Sequence, residues 1–170
     1  ALAVGGATEP LLLAAANIVG YALRWWDVGT GACLRTVELP EGARVVASLP
    51  GERIAIAGWC AVTGRDAVTG ALLWTMPSLG MSMPNGVAWL GHSHVAVADT
   101  DMLRVWDVVR RVCVAECTAA EAGLCEVLGI AGTAHGVLLV DDGSGRVHVM
   151  SLGWLRRWAA TVAWATLRWE

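Results

Sequence analysis

Four groups of side chains in this chain have the chemistry of a reactive or ligating site, and their spacing decides how far each goes. Cys113, Cys117 and Cys125, with His92 or His94, offer the sulfur and imidazole donors that hold zinc. No Cys-x-x-Cys element is present to close a tetrahedral site, and Cys113 and Cys117 fall on one strand-like segment. Asp99, Asp101, Asp141 and Asp142 offer the oxygens a calcium ion needs, yet DTD and DDGSG match tight turns in which Asp and Ser bond their own backbone. Ser93, His92 and Asp99 hold the groups of a hydrolytic triad without a nucleophile elbow to present the serine. His135 and His148 are expected at strand ends. The residues therefore assign no catalytic position, no metal ligand and no cofactor-binding position.

The elements that carry these groups repeat. ALRWWDVGTGACLRTV at 22–37 and MLRVWDVVRRVCVAEC at 102–117 superimpose without a gap, each as a strand, a turn and a strand. Trp-Asp ends the first strand at Trp26-Asp27 and Trp106-Asp107, with weaker counterparts at Arg65-Asp66 and Met150-Ser151. The spacing of roughly 39, 41 and 44 residues is that of four-stranded propeller blades rather than helical solenoids. These segments resemble the WD-repeat family of β-propellers, whose blades carry a third strand ending in Trp-Asp, then a turn and a fourth strand. The first and third repeats match best. The second keeps Asp66 and its turn with Arg65 in the Trp place, and the fourth matches in register only. RDAVTGALLW is also similar to the tryptophan-docking repeat of quinoprotein propellers.

The expected fold is all-β: a β-propeller with about four four-stranded blades over 1–170, part of a larger ring that the resemblance implies has seven. Blade one covers 1–39, with strands at 1–4, 11–16, 21–27 and 32–38. Blade two covers 43–76, with strands at 44–48, 53–57, 60–66 and 71–75. Blade three covers 85–118, with strands at 87–90, 94–98, 102–107 and 112–117. Blade four covers 124–162, with strands at 125–130, 136–140, 146–150 and 154–160. Residues 163–170 start a further blade or belong to a terminal helix, because Trp154, Trp158, Val162, Ala165 and Trp169 also fall on a 3.6-residue stripe. The segment 77–84, with two prolines, is the longest connection and a surface excursion.

Blade packing accounts for the residue types. Runs such as HVAVA and VLLV suit strands covered on both faces by neighbouring sheets. Trp26, Trp74 and Trp106 are expected to fill space between blades, each burying about 150 to 250 Å². The family's polar network is largely missing. Gly91-His92 falls between first and second strands instead of before the first, while Asp99 and Asp101, and Asp141 and Asp142, lie near the family's turn Asp.

Composition narrows the function. Hydrophobic residues make up 56% of the chain and charged residues 16%, enough apolar material for a sizeable core. Net charge is −3, and the 12 basic residues are all Arg and scattered outside Arg110-Arg111 and Arg156-Arg157, so no basic stripe suggests nucleic acid. No apolar run approaches the roughly 18 residues of a membrane span. Phe, Lys and Gln are absent, whereas Trp numbers 10. Five unpatterned cysteines suit a reducing compartment, here the cytoplasm. The resemblance implies a non-catalytic protein–protein interaction scaffold within a multi-subunit assembly. Met81, Met83, Arg110, Arg111, Trp154 and Trp158 are its candidate contacts, since aromatic, Met and Arg side chains concentrate at interfaces. The alternative is a quinoprotein-type enzyme with an axial cofactor.

Overall fold

The computed structural model describes residues 2–4, 11–16, 22–27, 29–39, 42–51, 53–77, 83–153 and 155, with backbone alone for 2–4 and 11–16. Among the described residues fifteen strands follow one another. Sheet 1 contains β1 (Leu2–Val4), β2 (Leu11–Ala16), β3 (Ala22–Asp27) and β4 (Cys33–Glu38). Sheet 2 contains β5 (Ala43–Leu49), β6 (Arg53–Gly58), β7 (Ala61–Asp66) and β8 (Leu72–Pro77). Sheet 3 contains β9 (Gly86–Trp89), β10 (His94–Ala98), β11 (Met102–Asp107) and β12 (Val112–Thr118). Sheet 4 contains β13 (Gly129–Gly132), β14 (Val137–Asp141) and β15 (Val147–Ser151). In each sheet the spatial order follows the chain order and the pairings described are antiparallel, so each is a four- or three-stranded meander.

The strands form where β-branched and small apolar residues run between turn residues, and the repeat becomes geometry at one place. In sheets 1, 2 and 3 the third and fourth strands slip register between Trp25 and Trp26, Gly64 and Arg65, and Val105 and Trp106. A bulge there twists the strand pair just before the turn. Trp26, Arg65 and Trp106 thus occupy one structural position, facing Cys33, Leu72 and Cys113.

The chain divides into two compact units, 1–87 and 88–170, the division falling inside β9. In the first, Leu23, Trp25 and Leu39 from sheet 1 and its exit meet Ala43, Val46, Ile54 and Ile56 of sheet 2. In the second, Ala96, Ala98, Leu103, Val105 and Cys117 of sheet 3 join Leu138, Val140 and Met150 of sheet 4. Every side chain of β10 is buried, as a strand covered on both faces requires.

Four expectations are corrected. The fourth blade's first strand, expected at 125–130, stands at Gly129–Gly132. Its apolar start is drawn into a loop instead: Val127 is fully buried and its N–H donates to the Thr100 carbonyl, while Thr118 and Glu121 clasp the preceding turn as a capping box. The strand expected at 154–160 does not begin there, because Leu152, Gly153 and Leu155 have helical backbone; 156–170 lie outside the described residues. VLLV is covered on one face only, with Leu138 and Val140 buried and Leu139 exposed. Trp26 is half-buried, and the sheet 1 tryptophan that fills space is its neighbour Trp25, at 3% exposure. Adjacent strand residues point to opposite faces, so only the position of sheet 2 decides between them.

Candidate interaction surface

The turn after each third strand is built by its aspartate. Asp27 Oδ1 accepts from the Thr30 N–H at 2.6 Å and from the Thr30 hydroxyl at 2.9 Å. Asp66 Oδ1 accepts from the N–H of Val68 at 3.0 Å and the Thr69 hydroxyl at 2.7 Å. Asp107 Oδ1 accepts from the N–H groups of Val109 and Arg110, both at 3.0 Å. These bonds stabilise the ionised form, so each carboxyl is held below its ordinary range: by Thr30 for Asp27, Thr69 for Asp66 and Arg110 for Asp107. The closing residue has positive φ, +71° at Gly31, +73° at Gly70 and +60° at Arg111. Arg111 therefore holds, with a Cβ, a backbone conformation that the other two turns give to glycine.

The remaining polar candidates are dispersed into similar local work. Asp99 is buried and accepts from the N–H of Asp101 and Met102 at 2.9 and 2.7 Å. Asp142, equally buried in the corresponding turn of sheet 4, accepts from the Ser144 hydroxyl and faces His148 Nε2 at 2.8 Å. The Ser144 bond, then that of His148, keeps Asp142 far below the usual carboxylate range. His148 lies inside β15 rather than at a strand end, where the Asp142 turn can reach it. Asp101 and Asp141 are exposed. Ser93 bonds Asp107, not His92, which is exposed on the β9–β10 turn. Cys117 lies in the core, where burial pushes its thiol up to about 11; Cys113 is half-buried and Cys125 exposed. Among the described residues no three His, Cys, Asp or Glu side chains are grouped to hold a metal ion.

The expected contacts fare unevenly. Arg110 and Arg111 form an exposed tip, with Arg110 Nε 3.8 Å from Asp107. Met83 is 41% exposed, whereas Met81, Trp158 and the Trp154 side chain lie outside the described residues. Met83 does not stand alone. Its sulfur accepts from Arg44 Nη1 at 3.2 Å, and the same guanidinium carbon sits 5.5 Å from the ring centroid of Trp59, itself 43% exposed. Trp59, Arg44 and Met83 form one surface cluster of the residue types that concentrate binding energy. Sequence reasoning missed Trp59 and Arg44, because a turn Trp in AGWCAV carries no repeat signal and Arg44 opens an ordinary strand.

Trp74 and Trp106 do fill space, at 8% and 4% exposure. Trp74 lies over Gly64, its cross-strand partner, so closely that a Cβ there would come 1.9 Å from the ring. In sheet 1 the equivalent of Gly64 is Trp25, whose indole N–H donates to the Ala67 carbonyl while Arg35 stacks 5.3 Å from its ring and donates to Val68.

Sheet succession, bulge position and turn geometry are those of propeller blades. The chain matches the solved WD40 β-propeller domain of Doa1 with a TM-score of 0.73 at 14% identity, over 89% of this chain and 50% of that one. The fold is a β-propeller's. The chain spans about half the length of that neighbour. No protein-family profile and no curated protein matches the sequence. Among the described residues no helix is long and apolar enough to cross a membrane.

Proposed function

We propose that the chain is a non-catalytic interaction scaffold of WD-repeat type, a structural subunit that docks other proteins inside a cytoplasmic assembly. The observation that carries this reading is the outer face of sheet 4. Val147 and Val149 are 64% and 71% exposed and Leu139 37%, while Leu138, Val140 and Met150 on the opposite face are buried. Leu139 and Val149 are cross-strand partners, so these residues form one apolar surface. A contiguous apolar face of this kind on a sheet is the mark of a surface that another element or protein covers. In a propeller that cover is a further blade, which agrees with a chain spanning half of its neighbour; the Trp59 cluster and the Arg110-Arg111 tip then remain for partners.

The test compares the chain with a Val147→Glu, Val149→Glu variant. The scaffold reading expects the original chain to self-associate in sedimentation and to retain a stable set of proteins on affinity capture; the Val147→Glu, Val149→Glu variant should lose self-association with its far-ultraviolet spectrum unchanged, and a Trp59→Ala, Arg110→Ala variant should lose the captured proteins. A monodisperse monomer, or a captured set that the Trp59→Ala, Arg110→Ala variant leaves unchanged, sinks it.

A further inference from the structure

In sheet 2 the place that Trp takes in sheets 1 and 3 belongs to Arg65, and among the described residues no carboxylate answers its charge. Arg65 is 9% exposed. Its Nη1 donates to the Gly70 carbonyl at 3.0 Å, but its Nε–H is sealed from solvent and meets no acceptor. A guanidinium taken out of water without a carboxylate costs several kcal/mol as a generic matter, and proteins keep such a charge only where a counter-charge arrives. Arg65 lines an open cleft of about 160 Å³ together with Leu39, Ile56, Thr63, Leu72 and Thr75. That volume matches an apolar cavity able to hold a benzene-sized group. Leu39 and Ile56 are buried walls, Leu72 is a half-exposed rim, and Thr63 and Thr75 are cross-strand partners that bring two hydroxyls to one side.

We infer that this cleft is a binding site for a carboxylate carried on a short aliphatic stem, with Arg65 as its anchor. A guanidinium is a planar group of several donors that fits a carboxylate, which lysine or a neutral amide cannot imitate, and a carboxylate in the cleft would answer the Arg65 charge from the side of the group that lines it. Leu39, Ile56 and Leu72 suit the methylene groups behind it, and the hydroxyls suit whichever oxygen lone pairs Arg65 leaves. Burial alone pulls the Arg65 pKa below its ordinary value, and that cost falls when an anion enters. The ligand is a free small aliphatic acid or a glutamyl side chain of a partner; the chemistry is the same. The site stands whether or not sheet 4 is covered by another blade, so failure of one reading leaves the other intact.

The Arg65 Nε–H resonance in a ¹⁵N spectrum reports the site directly in the unmodified chain. Titration with glutarate is expected to move it saturably and raise the melting temperature, and glutaramide is expected to do neither. A capped Gly-Glu-Gly peptide that competes better than glutarate places the ligand in a partner chain; one that does not compete places it in a free acid. Arg65→Leu, which removes the buried charge and keeps the volume apolar, should fold at least as stably and bind glutarate about tenfold to a hundredfold more weakly. Three results overturn the proposal. Sulfate and chloride move the resonance as far as glutarate does; Arg65→Leu keeps the thermal response; or Glu41→Gln, at the position before the lining residue Gly42 in the chain, shifts the resonance with no ligand added, which means the chain neutralises its own arginine.

Discussion

Arg111 does with strain what Gly31 and Gly70 do freely. A left-handed backbone costs a residue with a Cβ roughly 1 to 2 kcal/mol, so Arg111→Gly is expected to stabilise the chain by up to about 1 kcal/mol in urea unfolding. Gly64 shows the opposite constraint. With Trp74 resting on it, Gly64→Ala should destabilise by about 1 to 3 kcal/mol through overpacking. Adding Trp74→Leu should recover part of that loss, a coupling that a double-mutant cycle measures. The thiols separate by environment: iodoacetamide should label Cys33, Cys60 and Cys125 in the native chain and reach Cys117 only on unfolding, because a thiol raised to about 11 in the core yields almost no thiolate. What the sequence disclosed at this scale was the repeat position of each residue. It did not disclose that the Arg65 Nε–H meets no acceptor, since burial of that group is decided by strands distant in the chain.

At the scale of the element, one turn design recurs and one tryptophan role moves. Trp106 sits at 4% exposure in sheet 3 while its equivalent Trp26 is half-buried. Trp106→Ala should therefore cost about 3 to 5 kcal/mol, and Trp26→Ala clearly less, whereas Trp25→Ala should behave like Trp106→Ala. Denaturant midpoints of the three variants check the order. Strand bounds in sheets 1, 2 and 3 were legible to within a residue or two, because alternation, turn residues and the Asp signal all act locally. Sheet 4 was not legible to that degree. CEVLGI is apolar enough to be a strand, and its conversion into a loop rests on the Thr118–Glu121 clasp and on Val127 bonding Thr100, neither of which is a pattern of period two.

For the molecule as a whole, the turn carboxylates set an acid limit. Asp27, Asp66, Asp107 and Asp142 are all held below their ordinary range, so between their folded and unfolded values the unfolded chain binds more protons than the native one. Their stabilisation is complete above about pH 4, the ordinary carboxylate value, and is lost as pH falls through the lower folded values. Melting temperatures measured by circular dichroism should stay level down to about pH 4 and then decline, with a shallower decline in Asp142→Asn. A melting temperature that rises on acidification would contradict this network.

The succession of antiparallel strands, the blade period and the aspartate turns follow from the order of residues alone, because each depends on residues within a few positions of one another. Packing of distant segments settles which of two adjacent tryptophans is buried, which face of β14 and β15 stays in water, that Trp59, Arg44 and Met83 meet, and that Arg65 is enclosed with no counter-charge among the described residues. Each of these depends on which sheet or loop lies opposite a face. A strand's own pattern marks its two faces, but only the packing of neighbours determines what each face touches.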